Sequence, residues 1–156
     1  SIISDTINNL IKSGKIKSFG VSNFTTSQME MFKGKVEILY NQINLSLTHV
    51  EHMFDGTLEY MQANNILPMA YSPLGSYFKD ENNMLKKVVD KLKNKYDCTD
   101  YELLVSWLLN HPSKIYPVIG TTKPDRMRKS IKSLKIQIDL IDWFELLEAS
   151  QGKRVP

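Results

Sequence analysis

Apolar residues recur along this chain at two spacings, one typical of helices and one typical of short buried strands. Ile3, Ile7, Leu10 and Ile11 fall on one helical face. The run 16–21 that follows this helical segment is short, compatible with a strand and bounded by turn residues. Three more runs of this kind occur, and residues at helical spacing follow each of them. The four predicted strands are residues 16–21, 36–43, 66–71 and 116–120.

Short-range signals mark the starts of several helices. Thr25 followed by Gln28, and Thr99 followed by Glu102, have the spacing of a capping box, in which each side chain bonds the backbone of the other residue. Pro124 suits the first turn of a helix, where its missing N–H needs no partner. These signals place helices between the predicted strands and after the last one.

Alternation of strands and helices predicts an α/β fold with a parallel sheet and right-handed crossovers. The four strand–helix units are half of an eight-unit barrel. We therefore predict that residues 1–156 form a single domain, a half-barrel of four parallel strands with flanking helices. The final helix is predicted to begin near Asp139 and to bury Leu140, Phe144 and Leu147.

Composition narrows the functional classes. The 156 residues carry 20 basic and 17 acidic side chains, a net charge of +3, which gives little reason to expect a nucleic-acid partner. The basic run 123–135 leaves nucleic-acid binding as a minor alternative. Cys98 is the single cysteine, so neither a disulfide framework nor a thiolate metal site is expected. With no long apolar run and no signal peptide, we expect a cytoplasmic protein without a membrane partner.

Polar residues stand at or just beyond the carboxyl ends of all four predicted strands. In a barrel of strand–helix units these ends converge on one mouth, where ligands bind. Any one of the sites, taken alone, could equally be a strand end that satisfies loop backbone. The four sites are Ser22-Asn23, Asn41-Gln42, Tyr71-Ser72 and Gly120-Thr121-Thr122-Lys123.

The motifs that contain these sites resemble, in order, the cofactor-contact segments of the aldo-keto reductases. They are Gly20-Val21-Ser22-Asn23-Phe24, Tyr40-Asn41-Gln42-Ile43, Ala70-Tyr71-Ser72-Pro73-Leu74-Gly75, and Pro117-Val118-Ile119-Gly120 followed by Pro124-Asp125-Arg126. The resemblance covers nearly the whole chain and begins about halfway through that family's barrel. It implies the C-terminal half of a (β/α)8 TIM barrel, of the bacterial-type oxidoreductase branch.

The resemblance also implies a binding site for NADP(H). Ser22, Asn23 and Gln42 would hydrogen-bond the nicotinamide carboxamide, and Tyr71 would stack on the nicotinamide ring. The remaining implied contacts are Ser72, Leu74 and Ser76 along the pyrophosphate, Gly120, Thr121 and Thr122 near the adenosine ribose, and Lys123 and Arg126 at the 2′-phosphate. A solvated helix face is the alternative for the two basic residues.

The sequence departs from the family in two places along this site. Many members have a Lys-Ser pair where this chain has Gly120-Thr121, which removes or displaces one phosphate-binding cation. Members often place Glu-Asn against the adenine, where this chain has Lys129-Ser130.

The family's reaction needs a tyrosine acid with a lysine, an aspartate and a histidine around it, all from the first half of the barrel. No tyrosine in this sequence has such a context, and the histidines lack metal-ligand spacing, so we predict no catalytic residue and no metal site in this chain. The parent protein is predicted to reduce a small-molecule aldehyde or ketone to an alcohol with NADP(H), this chain supplying the cofactor-binding half. It would pair with the amino-terminal half of the barrel. The alternative is a non-enzymatic half-barrel that binds a nucleotide or self-associates.

Overall fold

A computed structural model describes residues 1–155 as four parallel strands with helices packed on one side of them. The strands are β1 (Gly20–Ser22), β2 (Tyr40–Asn44), β3 (Leu67–Tyr71) and β4 (Tyr116–Pro117). The helices are α1 (Ile2–Lys12), α2 (Thr26–Glu30), α3 (Thr57–Ala63), α4 (Asn83–Lys95), α5 (Asp100–Leu109), α6 (Pro124–Ser133) and α7 (Leu140–Gln151), with one 3₁₀ turn at Glu51–Met53. Within residues 1–155, no helix has the length and apolar character needed to cross a bilayer.

The strands pair in chain order, β1-β2-β3-β4, and every pair is parallel. Both outer strands are shorter than predicted. Ahead of β1 a single bond, from the Leu39 N–H to the Phe19 carbonyl oxygen (2.8 Å), joins the segments that lead into β1 and β2. β1 is an edge strand and has a neighbour on one side only. In β4, Pro117 has no N–H to donate, and one more bond from Val118 to Ala70 (2.8 Å) ends the pairing.

The two central strands have one covered face and one open face. Side chains alternate between the faces of a strand, and burial alternates with the same period in β2 and β3. Toward the helices lie the buried residues Asn41, Ile43, Pro68 and Ala70. The opposite face, which we call the inner face, carries the half-buried residues Tyr40, Gln42, Asn44, Leu67, Met69 and Tyr71. No part of residues 1–155 packs over it as a helical layer does on the other side.

The terminal helix is fixed by a pair of tryptophans in the main core. Trp107 of α5 and Trp143 of α7 stack with ring centroids 4.8 Å apart. Each indole N–H donates to the other residue's carbonyl oxygen, at 3.1 and 2.9 Å. Because this pair sets the rotation of α7, the prediction that Leu140 and Phe144 are buried is wrong, and Leu140 is 71% exposed. Leu147 is buried as predicted.

Local capping follows the sequence signals. Both predicted capping boxes form, Thr25 with Gln28 at the start of α2 and Thr99 with Glu102 at the start of α5. Pro124 occupies the first turn of α6. These local contacts therefore mark the starts of α2, α5 and α6.

Candidate functional site

The carboxyl ends of β1, β2 and β3 bring four polar side chains onto the inner face. Ser22 pairs with Gln42 in the β1–β2 register, and Asn44 pairs with Tyr71 in the β2–β3 register. Adjacent strands lie about 4.8 Å apart, so each pair is within side-chain reach. Asn44 was not among the predicted site residues. Its position two residues after Gln42 on the same strand was the signal that could have found it.

Hydrogen bonds to the β2 backbone hold the carboxyl end of β1, and the side-chain amides beside it are left without partners. The Ser22 hydroxyl (3.1 Å) and the Asn23 N–H (2.9 Å) both donate to the carbonyl oxygen of Gln42. Asn23 has a left-handed backbone, with φ at 55°. Within residues 1–155, the side-chain amides of Asn23 and Gln42 make no hydrogen bond. Donors and acceptors for an amide ligand are therefore available at adjacent positions.

A groove of about 420 Å³ runs from the tip of β3 to the start of α6. It is lined by Tyr71, Ser72, Pro73, Leu74, Gly75, Tyr101, Val118, Ile119, Gly120, Thr121 and Arg126. Six of the predicted contact residues are among these. Of the residues that the structure describes, Ser76, Thr122 and Lys123 flank the groove without lining it. Tyr101 reaches it from α5, a position that no motif in the sequence marked, and its hydroxyl lies 2.6 Å from Ser130 Oγ.

A glycine lets two loops pack closely beside the groove. Gly75 has φ at +52°, and a Cβ there would collide with the side chains of Ser46 and Thr48 from the loop after β2. Thr48 Oγ1 also accepts a hydrogen bond from the Ser76 N–H (3.0 Å). The loop after β3 is thus braced by the loop after β2, which shapes the groove next to Leu74.

Charge at the far end of the groove is carried by Arg126. It is exposed, and within residues 1–155 it has no acidic partner. Arg128, two positions on, is engaged instead by Asp125, with Nη1 2.6 Å from Oδ1. The backbone N–H of Lys123 donates to Thr121 Oγ1 (3.2 Å), which orders the turn before α6. Arg126 is therefore the cation on this helix that both lines the groove and is free to bind an anion.

The tyrosines require a correction, because three of them do have lysine and carboxylate neighbours. Tyr96 donates to Asp142 at 2.5 Å, and Lys95 lies 2.6 Å from the same carboxylate. Burial, with the bond to Asp142, raises the pKa of Tyr96 above its ordinary value. Equivalent groups join Tyr60 to Glu30 beside Lys33, and Tyr77 to Asp100 beside Lys93. All three lie among the helices, away from the inner face, and a raised pKa makes a phenol a poorer proton donor.

Two further side chains of reactive types, His52 and Cys98, have surroundings that favour a structural role. His52 lies 2.9 Å from Asp55, whose other oxygen accepts from the Thr57 N–H (2.8 Å) across Gly56, the residue that occupies the N-cap position of α3. Burial, with nearby acidic groups, raises the pKa of Cys98 to about 11, so the thiol stays protonated at neutral pH. Residues 1–155 contain no cluster of three side chains able to hold a metal ion.

Comparison with known proteins decides the family. The sequence profile described as "Aldo/keto reductase family" matches residues 2–150. The chain belongs to the aldo/keto reductase family. Among its relatives are the uncharacterized oxidoreductase YcsN of Bacillus subtilis, 34% identical over 92% of this chain and 51% of its own length, and a 6-dehydroglucose reductase of Agrobacterium fabrum, 33% identical over 94% and 50%. The chain thus spans about half the length of the relatives it matches.

Solved aldo-keto reductases share the fold. The thermostable aldo-keto reductase Tm1743 superposes with a TM-score of 0.83 and 22% identity, over 93% of this chain and 53% of its own. An aldo/keto reductase from Klebsiella pneumoniae, solved in complex with NADP and acetate, gives a TM-score of 0.81 and 21% identity, over 98% and 54%. These barrels show that the four-stranded sheet of this chain corresponds to half of a (β/α)8 barrel.

Proposed function

We propose that this chain is the NADP(H)-binding, carboxyl-terminal half of an aldo-keto reductase that reduces a small-molecule aldehyde or ketone to an alcohol. One observation carries the proposal. The side-chain amides of Asn23 and Gln42, the ring of Tyr71 and the groove that ends at Arg126 follow one another across neighbouring strands at the carboxyl edge of the sheet. Along this edge, the chain can therefore bind an amide, then a flat ring and then an anion.

The nicotinamide end of the cofactor fits the inner face. Asn23 and Gln42 have donors and acceptors to offer its carboxamide, and the Ser22 oxygen keeps lone pairs after donating to Gln42. Tyr71, half-buried beside Asn44, presents a rigid aromatic face. When bound, NADPH supplies the hydride for carbonyl reduction. The chain's own residues orient the ring and hold one of its faces away from water.

The phosphate end fits the groove. Ser72 and Leu74 line its course, and Gly120 and Thr121 lie where the chain enters α6. Arg126 can make charge-assisted bonds to a 2′-phosphate, which NADPH has and NADH lacks. Ser76, Thr122 and Lys123 complete the proposed set as flanking contacts. A relative named NADPH-dependent alpha-keto amide reductase and the Klebsiella pneumoniae structure in complex with NADP support this preference, whereas another relative is named NADH-specific methylglyoxal reductase.

The proton donor is proposed to come from outside this chain. Among residues 1–155, the tyrosines of the inner face, Tyr40, Tyr71 and Tyr116, form no hydrogen bond with a lysine, histidine or carboxylate. The inner face also exposes apolar side chains, such as Met69 and Leu67, which a further set of strand–helix units would cover. We therefore propose pairing with an amino-terminal half that completes the barrel and the acid group.

Two assays test the function. The longest natural form of the protein should bind NADPH, enhance its fluorescence and oxidise it when a reactive aldehyde is added. Residues 1–156 alone should show no turnover above background. Asn23→Ala and Gln42→Ala in the longer form should each weaken NADPH binding. A longer form that neither binds nor oxidises NADPH would refute the proposal, and turnover by residues 1–156 would refute the assignment of the acid group.

A second candidate function rests on the open edges of the sheet. β1 and β4 each have one side without a strand partner among the described residues, and both run parallel to the rest of the sheet. Two copies could close eight strands into a ring around the inner face. Light scattering during size exclusion tests this nucleotide-binding, self-associating half-barrel. A mass of twice 18.0 kDa for residues 1–156 supports it, and a stable monomer contradicts it.

A further inference from the structure

We propose that Asn41 is a positioning residue for the nicotinamide end of the site. Its buried side chain fixes the turn that presents Ser22 and Asn23. The inference rests on the proposed function, and it assigns a role to a residue that faces away from the ligand side of the sheet.

Asn41 is a polar residue in an apolar position. It lies on the helix-facing side of β2, next to Ile43 on the same side, and its exposed fraction is 0%. Burying an amide without hydrogen-bond partners is unfavourable, so the residue at this position would ordinarily be apolar. An asparagine at this position is explained if its side chain makes hydrogen bonds that an apolar side chain cannot make.

Those bonds go to the backbone of one residue, Phe24. Asn41 Nδ2 donates to the Phe24 carbonyl oxygen (2.9 Å), and Oδ1 accepts from the Phe24 N–H (3.3 Å). The two partners fix which end of the amide is oxygen and which is nitrogen, since the backbone offers one acceptor and one donor. A weaker contact joins Nδ2 to Met29 Sδ at 3.6 Å.

Phe24 is where the first strand tip leaves the sheet. The ladder between β1 and β2 ends with the bond from Asn23 to Gln42, and Asn23 then turns the chain through a left-handed conformation. Beyond that turn, the Phe24 backbone has no strand beside it. The Asn41 side chain takes the place of that strand by pairing both of its polar groups.

Two consecutive residues of β2 therefore hold the tip from both sides of the turn. The Gln42 carbonyl fixes Ser22 and the Asn23 N–H, and the Asn41 amide fixes Phe24. Every one of these bonds ends on the backbone of Asn23 or Phe24 or on the Ser22 hydroxyl, so the side-chain amide of Asn23 stays free for a ligand. The left-handed Asn23 conformation is unfavourable by itself, and surrounding bonds must maintain it.

The test compares two ligands in the longest natural form of the protein. Asn41→Leu keeps a similar volume and removes both bonds to Phe24. We expect NADPH to bind about tenfold more weakly, and 2′,5′-ADP, which has the adenosine end without nicotinamide, to bind unchanged. In an Asn23→Ala background the same substitution should change NADPH affinity less than twofold, because the Asn23 amide is already gone and the Gln42 carbonyl oxygen still holds Ser22.

Two further variants keep the result unambiguous. Asn41→Asp keeps an oxygen for the Phe24 N–H but places a second carboxylate oxygen against the Phe24 carbonyl oxygen, so it should lose at least as much NADPH affinity as Asn41→Leu. Ser106→Ala is a matched control, because the buried Ser106 hydroxyl also bonds backbone carbonyls, of Glu102 and Ser133, among the helices. It should lower stability without changing NADPH affinity.

Three outcomes would overturn the role of Asn41. They are an unchanged NADPH affinity in Asn41→Leu, an equal loss of NADPH and 2′,5′-ADP, and losses that simply add in the Asn23→Ala background. A wild-type protein that binds neither ligand would instead refute the proposed function.

Discussion

Arg126 and Arg128 lie two positions apart on the exposed part of α6, and their surroundings differ. Arg128 is held by Asp125, whereas Arg126 lines the groove without an acidic partner in residues 1–155. A charge-assisted bond to a 2′-phosphate contributes about 1.5 kcal/mol. We therefore expect Arg126→Ala to weaken NADPH binding roughly tenfold and to leave NADH binding unchanged.

Arg128→Ala is the matched control for this residue-scale prediction. It removes the same charge from the same helix, so it should change NADPH affinity less than about twofold at moderate ionic strength. Fluorescence titration with both cofactors measures the preference directly. Equal losses in the two variants would mean that α6 attracts the cofactor only through its general positive charge.

At the scale of elements, Asp142 joins α7 to the end of α4. Burial favours a higher pKa for this carboxyl, but the hydrogen bonds from Lys95 and Tyr96 outweigh it and hold the pKa below its usual value. An unfolded aspartate titrates near 3.9, so the folded state gains stability from Asp142 above about pH 4. That contribution is lost as the pH falls below 4 toward the depressed folded pKa.

Asp142→Asn should remove this part of the acid sensitivity. Urea unfolding at pH 7 and pH 3 should show a smaller drop in stability for the variant than for wild type. Glu145→Gln is the control on the same helix, because its pairing with Lys91 is more exposed and is expected to contribute less than about 1 kcal/mol. If Asp142→Asn and wild type lose equal stability, Asp142 does not contribute to the acid response.

At the scale of the whole molecule, Met69 and Ala70 are consecutive residues on opposite faces of the sheet. Ala70 is buried against the helices, and Met69 is half-buried on the inner face. In residues 1–156 alone, we expect Ala70→Lys to cost more than about 3 kcal/mol and Met69→Lys less than about 1 kcal/mol. In a longer form that closes the barrel, Met69→Lys should become strongly destabilising as well.

Denaturant titration of both variants in both lengths checks that prediction. The diagnostic quantity is the change in the Met69→Lys effect between the short and the long protein. An effect that stays small in the long protein would mean that the inner face remains open there. An effect that is already large in residues 1–156 would mean that copies of this chain cover the face.

Local sequence signals predicted part of this fold and part of the site. The capping boxes at Thr25 and Thr99 were predictable because both partners lie within four residues. The full lengths of β1 and β4 were not, since pairing depends on neighbours distant in sequence. The contacts of Tyr96 with Asp142, and the rotation of α7 that exposes Leu140, depend on packing between helices. The sequence did not show which face of β2 would be covered, because polar residues stand on both faces: Asn41 faces the helices and Gln42 lies on the inner face.

The pairing of strands in chain order has a consequence for how the sheet assembles. β1, β2 and β3 are separated by short segments, so closing their contacts requires small loops, whereas β4 must wait until α4 and α5 have been placed. We expect pulse-labelled hydrogen exchange to protect the Asn23 amide before the Val118 amide, which bonds Ala70. During refolding, the proposed nicotinamide surface at the ends of β1, β2 and β3 would then form before the proposed phosphate groove between β3 and α6.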